Sequence, residues 1–368
     1  MVDALKKLDK KFLIIAGCLI FIPIILIIFL AIIQSCSNSK MSYESYESRM
    51  IKAAEKYLKN DVPTDESEYV IIDLETLISN GYIKSYGKAL KDTCTGNVTV
   101  RRNGSSIETN NGGFLNYIVN LECENYKTIH LVDKITSDVV DSESGLYLIG
   151  DEYVFRGNKV NNRINLFGQS YRIMSIDKDG IVKLIKSEPQ NTSRLWDNKF
   201  NTEVNSSYGK NIYKDSAILT YLLNDYSNSK IISKKAKEHI VAYDACIGKK
   251  SQNDYSISKE KDCQEKSEKQ VVSLINISDY AIASTDPECN STNSRSCRNY
   301  NYLSNIATST WTLNTVSENT YDVFVISDGL QKYQPANLYN EYNLVIYIDG
   351  NELYNGGTGT ENNPYVIK

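Results

Sequence analysis

The chain has 368 residues, with 41 Lys and Arg against 45 Asp and Glu, so its formal net charge is −4. Nucleic acids and anionic surfaces attract clustered basic side chains that release counterions, and this weakly acidic balance argues against a nucleic-acid partner. At about 150 residues per domain, the length predicts two domains in addition to any anchor.

The first predicted element is a transmembrane helix between Phe12 and Ile33. This segment has no charged residue and only one proline, and a helix rising about 1.5 Å per residue over that length crosses the roughly 30 Å hydrocarbon core. Four lysines lie in the preceding stub, residues 1–11, and the positive-inside rule therefore places the N-terminus in the cytoplasm. We predict a single-pass protein of the cell membrane that contacts the lipid bilayer through this span and exposes residues 34–368 outside the cell.

Two alternatives concern the processing of this segment. A cleaved export signal has an apolar core of about 7 to 15 residues, which is shorter than the run found here. We therefore favour an uncleaved anchor. Residues 33–36 loosely resemble the lipobox that ends in a lipid-modified cysteine, although Gln34 replaces a small residue, and lipidation at Cys36 stays open.

An amphipathic helix is predicted in residues 43–57. Apolar or aromatic residues recur there every three or four positions, which describes one helical face. Ser42 precedes this stretch and is a favourable N-cap. Asp73 is predicted to cap a second helix in residues 74–79, which ends before Gly81.

Strands complete a predicted proximal unit over residues 41–135. Residues 97–101 alternate in polarity and lead into Asn103-Gly104, a strong signal for a two-residue hairpin turn. A further strand, predicted at residues 114–123, completes a small sheet. The stretch 136–144 is rich in Ser, Asp and Glu and predicts a linker.

Residues 145–368 are predicted to form a distal domain. A strand at 153–156 precedes a hairpin of residues 170–176 and 181–187, joined by a plain turn at 177–180 that lacks the ligand spacing of a calcium loop. The remaining predicted elements are helices at 215–226 and 234–241, a long polar loop at 248–269, a strand at 271–275, a helical turn capped by Ser278, and strands at 309–314, 322–326, 343–349 and 364–367.

Six of the eight cysteines follow one another as near neighbours in residues 34–368. The simplest of the 15 possible connectivities joins Cys94 to Cys123, Cys246 to Cys263, and Cys289 to Cys297. Disulfides form and persist in an oxidising exterior. Zinc is disfavoured because no cysteine pair has the short spacing of a zinc ligand set and the chain has two histidines. We predict three disulfides, no metal site and no cofactor.

Two stretches resemble known groups of proteins. The apolar segment, the helix with Glu55 to Leu58, and the later Leu74-x-x-Leu77-x-x-x-Gly81-Tyr82 resemble the layout of type IV pilins and pseudopilins. A prepilin, however, would carry Gly before its apolar run and Glu at the fifth position, where this chain has Lys11 and Ala16.

The distal motifs resemble an uncharacterised family of membrane-anchored surface proteins of Gram-positive bacteria. They are Tyr153-Val-Phe-Arg-Gly157, Tyr171-Arg-Ile173, Leu195-Trp-Asp197, Ile277-Ser-Asp-Tyr280, Asn299-Tyr-Asn-Tyr-Leu303, Trp311 and the closing Gly357-Thr-Gly-Thr-x-x-Asn-Pro-Tyr365. The family is distantly similar to C-type-lectin-like and formylglycine-generating-enzyme-like domains. The resemblance implies an α+β fold with an N-terminal transmembrane helix, a small pilin-like α+β domain, and a lectin-like domain with an irregular antiparallel sheet.

No catalytic constellation is predicted. A serine hydrolase needs a histidine base beside its nucleophile, and neither His130 nor His239 has such a partner motif; His239 is predicted to be exposed in a charged helix. A glycosidase would need two carboxylates at a spatial separation that sequence spacing cannot locate. Tyr302, Trp311 and Tyr321 are a candidate sugar-stacking platform, with burial in the core as the alternative.

The predicted function is a non-catalytic ligand-binding or adhesion module on the cell surface. Its extracellular ligand is unknown and would be a glycan or a protein. The alternatives are a pseudopilin-like structural or assembly component and an enzyme of the cell envelope.

Overall fold

The computed structural model describes residues 40–59, 61–64, 68–103, 114–188 and 190–368. The predicted transmembrane segment between Phe12 and Ile33, and Cys36 beyond it, lie outside these ranges. Within them, no helix combines the length and the apolar character needed to cross a membrane. The described chain is an α+β protein in which strands predominate and helices are few.

The proximal unit packs helices on one sheet. Helix α1 (Tyr43–Leu58) is capped by Ser42, whose hydroxyl accepts a hydrogen bond from the amide of Ser45. Its buried face lies against an antiparallel sheet in the order β1-β2-β3-β4. The strands are β1 (Tyr69–Asp73), β2 (Cys94–Asn103), β3 (Phe114–Cys123) and β4 (Tyr126–Lys127), and the short helices are α2 (Leu74–Ser79) and α3 (Tyr86–Ala89).

The connection between β2 and β3 differs from the sequence prediction. The two strands pair from Cys94 opposite Cys123 to Asn103 opposite Phe114. Residues 104–113 therefore connect them, and Gly104 lies outside the described residues. The prediction of a two-residue turn at Asn103-Gly104 is therefore wrong. The register of the ladder pairs Asn103 with Phe114, which lies ten residues beyond Gly104.

All three predicted disulfides are confirmed: Cys94–Cys123, Cys246–Cys263 and Cys289–Cys297. The first joins residues that face each other across β2 and β3. The second closes the long polar loop, which contains the short strand β11 (Lys249–Lys250) and helix α7 (Lys259–Asp262). The third closes the shortest loop, with a sequence separation of 8.

Removing the first disulfide is expected to cost more stability than removing the third. The sequence separations are 29 and 8, and the chain-entropy model assigns about 3.6 and about 2.5 kcal/mol to closing loops of these lengths. The measurement is urea denaturation of Cys94→Ala/Cys123→Ala beside the matched Cys289→Ala/Cys297→Ala. A larger loss from the shorter loop would contradict the prediction.

The larger unit contains a seven-stranded sheet. Its main path runs β16-β9-β8-β6-β5, and β7 joins β8 on one side and β17 on the other. Neighbouring strands are antiparallel except for the parallel pair of β7 and β17. The bounds are β5 (Gly145–Ile149), β6 (Glu152–Arg156), β7 (Arg163–Leu166), β8 (Gln169–Ile176), β9 (Ile181–Lys186), β16 (Val345–Asp349) and β17 (Tyr365–Val366).

Two smaller sheets and several short helices surround this sheet. One sheet has the order β11-β12-β13-β14, and the other pairs β10 with β15. The strands are β10 (Gln190–Leu195), β12 (Ser309–Val316), β13 (Asp322–Ser327), β14 (Leu330–Pro335) and β15 (Tyr339–Tyr342). The helices are α4 (Leu131–Thr136), α5 (Ala217–Ser227), α6 (Lys234–Lys237), α8 (Ile277–Ile282) and a 3-10 turn (Arg295–Arg298). Together they enclose one large hydrophobic core.

Several local predictions need correction. The helix predicted at 234–241 ends after one turn, because the following backbone pairs with β16 through Ile240–Ile348 and the amide of Val241. The strand predicted at 271–275 makes one isolated bridge, between Ser273 and Val345. The helical turn attributed to a Ser278 cap has Asn276 as its N-cap, two residues earlier, and its first helical residue is Ile277.

Buried polar contacts join the proximal unit to the larger one. Asn116 Nδ2 donates to Glu352 Oε1 at 2.6 Å, and the other oxygen of Glu352 lies 2.9 Å from His239 Nδ1. Lys368 Nζ donates to the buried carboxylate of Glu47 at 2.8 Å. Helix α4 begins within the stretch predicted as the proximal unit, but its buried apolar residues belong to the large core. The two units therefore touch through specific polar groups as well as through the chain connection.

Candidate functional site

A cavity of about 190 Å³ lies in the larger unit, between its main sheet and the loop closed by Cys246–Cys263. We call it the Lys183 cavity. Its charged and aromatic lining consists of Glu152, Asp177, Lys183, Tyr243, Lys259, Asp262, Asp279 and Tyr347. These residues come from six separate segments of the chain, so the cavity is a product of tertiary folding.

Strand pairing positions one wall of the cavity. Lys183 on β9 stands opposite Tyr347 on β16 and opposite Ser175 on β8. Residues directly opposite each other in a sheet project to the same face. The charged residue therefore stands between two side chains with hydroxyl groups. Helices α7 and α8 supply the acidic residues on the other side.

A buried ion pair crosses the cavity. Lys183 Nζ lies 2.5 Å from Asp279 Oδ2, and the two side chains are 13% and 6% exposed. The same carboxylate accepts the amide of Asn276 at 2.8 Å. Burial alone would raise the pKa of Asp279, but the ammonium groups of Lys183 and Lys259 and the hydrogen bonds together hold it below its usual value. Burial would lower the pKa of Lys183, and the carboxylate of Asp279 raises it overall. Both groups are therefore charged at neutral pH.

A second, partly exposed ion pair lines the same cavity. Lys259 Nζ lies 2.7 Å from Glu152 Oε2, with the side chains 31% and 23% exposed. An ammonium group has three donor hydrogens, so each of the two lysines retains donor capacity beyond its carboxylate partner. The cavity can therefore donate to the oxygen atoms of a ligand.

Asp262 adds a hydrogen-bond acceptor to these lysine donors. Its side chain is 3% exposed, and Oδ2 accepts the amide of Ser278 at 3.1 Å. Oδ1 lies 3.5 Å from Lys250 Nζ but has no hydrogen-bond partner in the described part of the chain. Burial raises the pKa of this carboxyl despite the opposing charge of Lys250. One buried oxygen thus retains an unused acceptor capacity.

Two tyrosines complete the cavity. The rings of Tyr243 and Tyr347 are stacked with centroids 4.3 Å apart. Tyr243 donates to Asp177 Oδ2 at 2.9 Å, and the Tyr347 hydroxyl lies 3.1 Å from Ser273 Oγ. Burial raises the pKa of both phenols. The tyrosines are therefore neutral and held in fixed orientations.

Sequence reasoning missed this site. The turn at 177–180 is confirmed, with Asp177 Oδ1 accepting the amides of Asp179 and Ile181, but its role as cavity lining was not predicted. The available signal was a charged Lys183 within the apolar strand β9. Nothing in the sequence connects that lysine to Asp279, which lies 96 residues away.

The sugar-stacking platform is not formed by the three predicted aromatics. Trp311 is fully buried and donates from Nε1 to the Arg194 carbonyl at 2.8 Å. Tyr302 is also buried, with the Arg172 guanidinium 5.1 Å from its ring centroid. Tyr321 is half-buried beside Tyr208 at a different place. The hypothesis is wrong for Trp311 because β12 is an interior strand of its sheet and has both faces covered.

The two histidines have structural contacts. His239 is 5% exposed, pairs with Glu352 and stacks with Phe167 at 4.7 Å, so its predicted exposure is wrong. His130 lies 3.2 Å from the Val119 carbonyl. Among the residues that the structure describes, no group of three or more His, Cys, Asp or Glu side chains is arranged to hold a metal ion.

The Lys183 cavity thus combines spare ammonium donors, an unused buried carboxylate oxygen and fixed aromatic rings. Such a set can hold a small polar molecule by directed hydrogen bonds. Comparison of the chain with protein-family models, with curated proteins and with solved structures gave no match.

Proposed function

We propose that this protein is a single-pass membrane protein whose extracellular portion binds a small polar ligand in the Lys183 cavity without transforming it. The observation that carries the proposal is the convergence of two ion pairs and the unused oxygen of Asp262 on one cavity of about 190 Å³. Concave sites with a few directed polar groups are the usual form of small-molecule sites.

The proposed location rests on two independent features. The run between Phe12 and Ile33 is long and apolar enough to be an anchor. Three disulfides in the described residues are typical of a chain exposed to an oxidising compartment. Protease added to intact cells should therefore digest residues 40–368, and protection until the membrane is permeabilised would contradict the location.

The finer classification of the fold is also proposed. The resemblance of the distal motifs supports a lectin-like domain, and helix α1 on a disulfide-closed antiparallel sheet supports a pilin-like proximal domain. In this proposal the proximal domain is a spacer between the membrane and the binding domain.

Substitution at the mouth of the cavity tests binding. Lys259→Gln removes one ammonium of a partly exposed pair, and its matched control is Lys214→Gln, which removes an exposed ion pair with Glu268 outside the cavity. A ligand at 100 times its dissociation constant stabilises a protein by about 2.7 kcal/mol. We expect a screen of small polar compounds to find one that raises the Tm of the wild type and of Lys214→Gln.

The same compound is expected to raise the Tm of Lys259→Gln less. The measurement is thermal unfolding of the full chain in detergent micelles, with and without each compound. An equal shift in all three proteins, or no shift with any compound, would count against ligand binding in the Lys183 cavity.

A further inference from the structure

We infer that the ligand of the Lys183 cavity is a small polar molecule that carries a protonated amine, as amino sugars and amino acids do. The inference rests on the proposed function, because it names the chemical class of ligand for the same site. It follows from three properties of the cavity: its excess of carboxylates, the unused oxygen of Asp262, and its size.

The charge of the lining favours a cation. Four carboxylates and two ammonium groups line the cavity. Lys183 pairs with Asp279 and Lys259 pairs with Glu152, so the other two carboxylates have no partner among the lysines of the lining, and the cation nearest to Asp262 is Lys250, which lies outside the lining. One of them, Asp177, is already satisfied by Tyr243 and by two amides of its own turn. Asp262 is therefore the carboxylate that remains available to a ligand.

The surroundings of Asp262 compensate its charge only in part. The nearest cation, Lys250 Nζ, is 3.5 Å from Oδ1 and donates a hydrogen bond to the Ser256 carbonyl at 3.0 Å. A buried acceptor without a hydrogen bond costs free energy, and a charged donor recovers more of that cost than a neutral donor does. The pKa of Asp262, which burial raises, agrees with a carboxylate that lacks sufficient positive charge nearby.

The part of the ligand away from the amine would contact hydrogen-bond donors. Lys183 and Lys259 have ammonium hydrogens beyond those used by their partners, which suits hydroxyl or carboxylate oxygens. An apolar cavity of about 150 Å³ holds one benzene molecule. A cavity of about 190 Å³ therefore admits one six-membered ring or a small amino acid. Both candidate sources share the ammonium group that Asp262 would bind.

Matched probes test the class of ligand on the full chain in detergent micelles. Glucosamine is compared with glucose, and alanine with lactate, because each pair exchanges an ammonium for a hydroxyl on the same skeleton. Calorimetric titration is expected to give at least one amine probe that binds about tenfold more tightly than its hydroxyl counterpart, as expected for a charge-assisted bond. The pair that discriminates identifies the source as sugar or amino acid.

Asp262→Asn tests the residue. The amide keeps the size of the side chain and one oxygen for Ser278, but it removes the charge, and the preference for the amine is expected to fall to about twofold or less. Asp244→Asn is the matched control, because this carboxylate lies next in sequence to Tyr243, pairs with Lys266 and does not line the cavity. If Asp262→Asn does not fold, the relative affinities of the wild type for the amine and hydroxyl probes still test the inference.

The inference and the proposed function fail in different ways. Equal affinity for amine and hydroxyl probes in the wild type, with both weakened by Lys259→Gln, would overturn the inference and support ligand binding. Failure of both amine probes to bind at millimolar concentration would also overturn the inference. In that case the wider screen with Lys259→Gln decides separately whether the cavity binds a ligand.

Discussion

Replacing Asp279 by alanine is expected to lower the free energy of unfolding by about 3–5 kcal/mol, the cost of leaving one partner of a buried ion pair uncompensated. The Lys183 side chain is 13% exposed and would lose the carboxylate that lies 2.5 Å from its ammonium nitrogen. The amide of Asn276 would lose its acceptor as well. Urea denaturation monitored by circular dichroism measures the change.

Two controls separate the effect of breaking the ion pair from nonspecific destabilisation by the substitution. Glu268→Ala removes the partner of Lys214 in an exposed pair and should change stability little. Lys183→Met with Asp279→Leu replaces both charges by apolar groups and should recover most of the loss, because no charge stays buried alone. A loss below about 1 kcal/mol for Asp279→Ala would contradict the expected role of the pair.

The Lys183–Asp279 pair contributes to the free energy of unfolding only within a certain range of pH. The folded pKa of Asp279 is lowered, so its contribution is complete above the unfolded value of about 3.9 and is lost as pH falls through the folded pKa. The folded pKa of Lys183 is raised, so its contribution is complete below about 10.4 and is lost as pH rises through the folded pKa. The difference between wild type and Asp279→Ala should therefore be largest between these limits.

Trp311→Ala is expected to unfold the larger unit instead of removing a binding surface. Truncating a fully buried aromatic residue costs about 3–5 kcal/mol, and Trp311 is 0% exposed. The Arg194 carbonyl would also lose its hydrogen bond from the indole. We expect a lower urea midpoint and a weaker near-ultraviolet signal.

Tyr339→Ala is the matched control for this substitution. Tyr339 is 69% exposed, so its truncation should change stability little. Unchanged stability of Trp311→Ala together with loss of glycan binding would restore the hypothesis of a sugar-stacking platform. Parallel losses of stability and of binding would follow from unfolding alone.

Short-range signals were sufficient for many elements. Ser42 caps α1, the helix after Asp73 spans the predicted residues, and the hairpin across 177–180 forms as predicted. These features depend on side chains within a few positions of one another, where spacing in sequence is also spacing in the structure. The cysteine pairs were predictable for a different reason: their separations are 29, 17 and 8 residues, but each cysteine is bonded to the next one along the chain.

Predictions failed where a distant segment determined the outcome. The backbone after Lys237 leaves its helix because β16 offers hydrogen-bond partners, and His239 is buried because Glu352 comes from the far end of the chain. The aromatic character of Trp311 was evident in the sequence. Its burial depends on the sheet that encloses β12, which a single strand does not specify.

The sequence by itself determined the apolar segment between Phe12 and Ile33, the Ser42 cap, the turn at 177–180 and the order of the paired cysteines. The tertiary structure decided which charged residues meet, because the cavity is assembled from strands and helices far apart in the chain. Lys183 and Asp279 became partners only when β9 and α8 packed together, since burial makes an isolated charge costly and a paired one tolerable.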